Sequence, residues 1–287
     1  MSEEKNKIQK STLYLVATPI GNLADISERA IKVLSEVDFI AAEDTRNSAR
    51  LLSAYGIKKE LVSYHEHNKK SSGERLVARL LSGESCAVIT DAGMPAISDP
   101  GEDIVKMCAD ARITVSVIPG ACAAVSALSV SGLGTRRFAF EGFLSANKSE
   151  RKKQLDKVKN DDRTLIFYEA PHKLKTTLQD MCEAFGEERK ISLCRELTKL
   201  NEEIMRTTLS GACDYYSQNE PRGEYVLIVE GFDGEVVDGG TMELLSLSPE
   251  EHVSRYESQG LSRMDAIKRA AKDRGMSKSE LYKILNC

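Results

Sequence analysis

The segment Thr90–Gly101, TDAGMPAISDPG, gathers residue types that suit ligand chemistry. Ala92 and Gly93 leave room for a flat ligand against the backbone, and Asp91 can accept from an ammonium or a ribose hydroxyl. Asp99-Pro100-Gly101 opens a helix whose free N–H groups favour negative charge such as a carboxylate. A structural Ω-loop is the alternative. Four other stretches have comparable character. In TPIGN, Thr18–Asn22, Pro19 sets φ and Gly21 permits close backbone approach; a plain tight turn would do the same. IPGACAA, Ile118–Ala124, feeds an alanine-rich helix whose small residues either pack on a sheet or admit a ligand. AEDTRNS, Ala42–Ser48, holds Glu43, Asp44 and Arg46, which would orient a hydroxyl or phosphate unless Asp44 is simply a helix N-cap. SYHEHN, Ser63–Asn68, puts His65 and His67 on one face of an extended chain with Glu66 opposite. Those groups suit a titrating base or a nucleic-acid contact, or a plain surface loop. No further His or Cys is patterned with them, so no metal is expected.

These stretches gain meaning from what precedes them. Leu13–Thr18, Phe39–Ala42, Leu61–Tyr64, Ala87–Thr90 and Val115–Ile118 are short apolar runs that read as strands, and each is followed by one of the stretches above. Ile26, Ala30, Val33, Leu34 and Val37 keep helical spacing, and Gly56 and Pro100 mark a helix end and a helix start. Alternating strands and helices imply a parallel twisted sheet, whose ligands bind outside the carboxyl ends of the strands. The second half offers strands at Thr164–Tyr168, Ile191–Arg195, Glu203–Leu209 and Tyr225–Glu230, with helices near Lys173–Phe185 and Ala212–Gln218, hence a second α/β domain with some antiparallel pairing. In it Tyr168 supplies an aromatic edge, and Arg195, Glu196 and Lys199 supply charge. The expected division is a flexible tail over 1–12, an N-terminal α/β domain over 13–143, a C-terminal α/β domain over 144–232, and a linker with a helical basic tail over 233–287. In that tail, helices at about Pro249–Gln259, Arg263–Arg274 and Lys278–Leu285 include a pair around Gly275, a helix-turn-helix or a simple hairpin.

Composition narrows the class. The chain has 287 residues, 41% of them hydrophobic and with no run long enough to cross a bilayer, so a membrane role is not expected. The N-terminal segment MSEEKNKIQK has no apolar core of the kind a signal peptide carries. Seven scattered cysteines without a C-x-x-C pair suit a reducing cytoplasm. A net charge of −4 excludes a uniformly basic nucleic-acid binder. Two segments nevertheless concentrate cations, with six Lys/Arg against two acids in Lys148–Lys159 and seven against three in Leu261–Lys283. They read either as solvated helix faces or as patches for a polyanion.

Taken in order, ATPIGNLADIS, AAEDTR, SYHEHN, ITDAGMPAISDPG, IPGACAAVSALSVSGL, FAFEGFL, FYEAPHK, RELTK and GEYVLIVEG resemble the ribosomal RNA small subunit methyltransferase I group, of the tetrapyrrole-methylase (class III methyltransferase) fold. The resemblance runs from Leu13 to Gly231, and the basic helical tail is similar as well. It implies two α/β domains with S-adenosylmethionine in the cleft between them, a homodimer, and methylation of a cytidine ribose 2′-hydroxyl in the decoding region of 16S rRNA within the small ribosomal subunit. Carried over by motif, the cofactor would touch Pro19, Gly21, Asp91, Ala92 and Gly93, with Ile97, Cys122 and Ala123 beside its methionine end. Tyr168, Glu169, Leu197, Gly223, Glu224 and Tyr225 would face it from the second domain. The chain departs from the group's usual DAGTP and PGPSA at Met94 and at Ala121-Cys122, and the Cys122 thiol is a weaker hydrogen-bonding group than the usual serine.

Methyl transfer to a hydroxyl needs aligned reactants and benefits from a base. Asp44, His65 and Glu66 are the candidates for that base, with Arg46 steering phosphate. Two other functions fit some of the same features. A tetrapyrrole methylase would have a wider pocket and no use for a basic tail, whereas a non-enzymatic RNA-binding module would have no use for the cofactor turns.

Overall fold

The computed structural model describes residues 7–234, 244, 245 and 247–285. Residues 1–6 of the expected tail and 235–241 of the expected linker lie outside the described residues. The chain divides into two compact units, Met1–Phe232 and Asp233–Cys287.

The first sheet is built from β1 (Thr12–Val16), β2 (Phe39–Ala42), β3 (Glu60–Ser63), β4 (Cys86–Ile89) and β5 (Thr114–Ile118). All pairings are parallel, in the order β3-β2-β4-β1-β5. β1, β2 and β4 are buried along their whole length, because helices cover both faces of the sheet. The period of two sorts their side chains. Tyr14, Val16, Ile40, Ala42, Ala87 and Ile89 pack with helices α1 (Glu28–Glu36) and α2 (Thr45–Ala54). Leu13, Leu15, Phe39, Ala41, Cys86 and Val88 pack with α3 (Lys69–Leu81) and α4 (Gly101–Asp110). Neighbouring strands β2 and β4 therefore send their chains to opposite faces, and a crevice opens at their carboxyl ends.

The second sheet holds β6 (Phe138–Phe143), β7 (Thr164–Glu169), β8 (Lys190–Arg195), β9 (Glu203–Thr208) and β10 (Tyr225–Val229), in the order β6-β7-β10-β8-β9. Only β6 and β7 pair in parallel; the other pairings are antiparallel. Helices α6 (Lys148–Val158), α7 (Pro171–Phe185) and α8 (Leu209–Gln218) share its larger core, built on Phe167, Leu193 and Leu227. The opposite face, with Ile166, Cys194, Val226 and Ile228, is covered by α5 (Ala123–Val130), which follows the last strand of the first sheet.

Strand β6 corrects one expectation. A boundary at 143/144 would leave Phe138–Phe143 with the first domain, yet it hydrogen-bonds to β7 in the second sheet. The pattern hides it: the register slips between Phe140 and Gly142, where Gly142 takes φ of +66°, so alternation fails mid-strand.

The basic segment 148–159 is mostly helix α6, capped by Asn147, which accepts from Ser149 and Glu150 N–H. Its cations are not equivalent. Arg151 is buried against Asp180, and Lys152 pairs with Glu183 and Lys159 with Asp156. Lys148, Lys153 and Lys157 are exposed.

In the C-terminal unit, Pro249–Ser258 starts with a capping box between Ser248 and Glu251, and Arg263–Asp273 is capped by Ser262. Gly275, at φ of +64°, turns the chain into Lys278–Leu285. Val253, Ile267, Ala270 and Leu281 form the core of this unit. Its His252 is fully buried, and its Nδ1 accepts from the Arg274 guanidinium at 3.0 Å.

Candidate active site

The two turns that follow β1 and β4 hold each other. Thr18 N–H donates to Gly93 O at 2.9 Å and Gly93 N–H to Thr18 O at 3.1 Å. Gly93 has φ of +85°, a backbone conformation that favours glycine, and a Cβ there would press on Ile20 Cγ2 at 3.3 Å. Beyond Gly93, the Asp99 carboxylate turns back on its own loop. It accepts from Gly101 N–H at 2.7 Å, Ala96 N–H at 3.0 Å and Ile97 N–H at 3.2 Å. The Asp99 carboxylate thus satisfies Gly101 N–H, the first N–H of α4. Ala96 and Ser98 both sit at positive φ within this loop.

The opposite wall comes from the second sheet. β10 runs antiparallel to β7 and β8, so the start of β10 lies beside their ends, with Tyr225 opposite both Glu169 and Arg195. The loop after β8 carries Glu196 and Thr198 at positive φ. Glu196 accepts from Glu224 N–H at 2.9 Å, and Lys199 bridges Glu196 and Glu224 at 2.8 and 2.7 Å. Tyr168 reaches across to α5: its hydroxyl oxygen accepts from Ala124 N–H at 3.1 Å. Cys122, the N-cap of that helix, makes no side-chain cap, so a tyrosine from the other sheet does the work of an N-cap serine. Burial pushes the Tyr168 hydroxyl up to about 12, and it stays protonated at any physiological pH.

Between these walls lies a cavity of about 560 Å³, within the size range of cofactor clefts. Of the residues that the resemblance assigns to the cofactor, Asp91, Ala92, Gly93, Ile97, Cys122, Ala123, Tyr168, Glu169, Leu197, Glu224 and Tyr225 line it, and Ile20 and Met94 join them. Glu169 contributes its surface rather than its charge: its carboxylate accepts from Ala170 N–H and from the Thr177 hydroxyl.

The remaining expected cofactor residues, Pro19, Gly21 and Gly223, are not in the lining. Pro19 is buried. A Cβ on Gly21 would fall 2.4 Å from Lys199 Cγ and 3.1 Å from Leu197 O, so this glycine admits the loop of the second sheet. A Cβ on Gly223 would meet Glu196 Cγ at 2.4 Å, so that glycine admits Glu196. Gly21→Val is therefore expected to push the 197–199 loop outward, raising the dissociation constant for S-adenosylmethionine several-fold by calorimetry while the fold survives.

The proposed catalytic group is also redistributed. Asp44 caps α2 through Arg46 N–H at 2.8 Å and holds the Arg46 side chain at 2.9 Å. The Arg46 hydrogen bonds draw its carboxyl down to about 2, which makes a feeble base. Glu66 pairs with Lys69 at 2.8 Å, and neither it nor His65 lines the cavity, because β3 is the edge strand farthest from β1. Glu43, one residue before Asp44, is in the lining. Adjacent residues leaving a strand point to opposite sides, and composition does not say which carboxylate turns inward.

The family model described as Tetrapyrrole (Corrin/Porphyrin) Methylases matches residues 12–213. A Halalkalibacterium halodurans protein named ribosomal RNA small subunit methyltransferase I is 50% identical over 275 residues, covering 96% of this chain and 94% of its own. Its Bacillus subtilis namesake is 48% identical over 276 residues, covering 96% and 94%. The chain belongs to the ribosomal RNA small subunit methyltransferase I family. The family's two-sheet architecture is shared with a solved uroporphyrin-III-C-methyltransferase from Thermus thermophilus, at a TM-score of 0.52 and 22% identity, covering 77% of this chain and 94% of the other. At that identity the likeness speaks for the fold alone. Within the described residues of this family member, no helix is long and apolar enough to cross a membrane.

Proposed function

We propose that the protein is an S-adenosylmethionine-dependent methyltransferase acting on the ribose 2′-hydroxyl of a cytidine in the decoding region of 16S rRNA, with the small ribosomal subunit as substrate and a homodimer as the working form. The observation that carries this reading is the cavity between the sheets, whose surface is apolar at Ile20, Ile97, Leu197 and Val226 and acidic at Asp91. That combination fits a cofactor with an apolar body and positive charge on its sulfonium and ammonium groups. When bound, S-adenosylmethionine supplies a methyl group from a sulfonium that leaves as a neutral thioether. Asp91, Ala92 and Gly93 would hold it from the first sheet, and Leu197 and Tyr225 from the second. The residues act by alignment, which supplies a large share of such a rate enhancement. The exposed Lys148, Lys153 and Lys157 and the basic helical tail support an RNA partner.

The test is incubation with methyl-labelled S-adenosylmethionine and either hypomethylated small ribosomal subunits or a porphyrinogen. Label mapped to a cytidine ribose is the expected result. Label confined to the porphyrinogen would replace this reading with tetrapyrrole methylation.

A further inference from the structure

Six carboxylates line the cavity: Glu43, Asp91, Asp99, Glu169, Glu196 and Glu224. Five of them are engaged by the protein. Asp91 accepts from the Asn47 amide at 3.0 Å, and Asp99 from the backbone of its own loop. Glu169 is held by Ala170 N–H and Thr177, and Glu196 and Glu224 share Lys199. Among the described residues the Glu43 carboxylate has no hydrogen-bond or ion-pair partner, and Glu43 is part of the cavity wall. Its place in the fold is equally specific. Ala42 of β2 is in register with Ile89 of β4, so Glu43 and Thr90-Asp91 leave adjacent strands side by side at the crevice where the chain turns to opposite faces.

We propose that Glu43 is the general base that receives the proton of the methylated hydroxyl. This rests on the methyltransferase reading above. As the O–CH₃ bond forms, the O–H bond breaks and its proton passes to the Glu43 carboxylate and then to water; the S–CH₃ bond breaks and its electron pair remains on sulfur. Burial, and then the neighbouring Asp91 and Asp99 carboxylates, raise the proton affinity of Glu43 above that of an ordinary glutamate, against a smaller opposing effect of His65. A carboxylate so tuned is a better base than Asp44, whose partner Arg46 acts in the opposite sense.

Glu43→Gln in the full chain, assayed on hypomethylated small subunits, tests this. The expected result is a fall in kcat of roughly 100-fold or more, with the calorimetric Kd for S-adenosylmethionine within about twofold of wild type and the same thermal midpoint. Wild-type kcat should rise with pH along an acidic limb above the ordinary glutamate value, and the variant should lack that limb. Wild-type kcat in the variant overturns the proposal. So does a loss that saturating S-adenosylmethionine restores, which would make Glu43 a binding group. If Glu43→Gln does not fold, Glu43→Ala with added formate takes its place: restored turnover supports a missing carboxylate base, and turnover unmoved by formate counts against it. Failure of the wild-type protein to label RNA is a separate result, and it overturns the function rather than the role of Glu43.

Discussion

Asp99→Ala is expected to lower stability by about 2–4 kcal/mol and to weaken S-adenosylmethionine binding by tenfold or more, on the scale of hydrogen bonds to a charged acceptor. A single carboxylate satisfies Ala96, Ile97 and Gly101 N–H, and the loop it gathers carries Ala96 and Ser98 at φ of +69° and +67°. Such backbone is costly for residues with a Cβ and persists only when its surroundings hold it. Gly101 makes the arrangement feasible, since a Cβ there would lie 2.6 Å from Ala96 N and 2.7 Å from Asp99 Oδ1. Without the carboxylate, the loop has no reason to keep Ile97 and Met94 in the cavity wall. Urea unfolding and calorimetric titration measure the two effects separately. Asp99→Asn, which keeps one acceptor oxygen, should fall between. Cofactor binding by Asp99→Ala within twofold of wild type would show that the loop holds its shape without this residue.

Asp180→Ala should cost about 3–5 kcal/mol, the range for removing one partner of a buried ion pair. Arg151 is 6% exposed and Asp180 4%, with Nε to Oδ2 at 2.6 Å. The same guanidinium donates to Ser145 O at 2.9 Å and to Ala146 O at 3.2 Å, tying α6 and the chain before it to α7. Loss of Asp180 leaves a buried cation facing carbonyls alone. The urea midpoint should drop sharply, whereas Arg151→Met combined with Asp180→Leu should recover most of it, because the charge and its partner leave together. A small effect from Asp180→Ala would mean that water reaches Arg151.

Part of the cavity edge is legible in the sequence because chain order and sheet order are linked. Once the apolar runs are strands of a parallel sheet, the residues after them must gather at one edge, and Asp91, Gly93, Cys122 and Ala123 do so. Glycines were harder to interpret. Gly21 and Gly223 are needed for close approach, but what approaches is Lys199 in one case and Glu196 in the other, and only the packed chain identifies the neighbour. The same limit applies to Glu43 and Asp44: their order in the chain is plain, and which of them faces the crevice depends on how the strand ends. Strand β6 does not read as a strand because a bulge breaks its alternation, and Arg151 reads as part of a surface patch because its partner lies 29 residues away.

Helix α5 belongs to the first half of the chain by connection and to the second by contact. Ala124, Ala127 and Leu128 pack on Ile166, Val226 and Ile228. Tyr168 meets its first turn, and Arg206 donates to Val130 O and Ser131 O at its last. An enzyme of two lobes is commonly pictured as a pair of jaws, each folding alone and swinging on a joint. Here the joint is riveted. Neither lobe keeps its own apolar surface covered if the other is cut away, so the lobes should melt in one transition and resist separate expression. The shape that receives the cofactor is also largely set before it arrives, and little binding energy goes into assembling the walls.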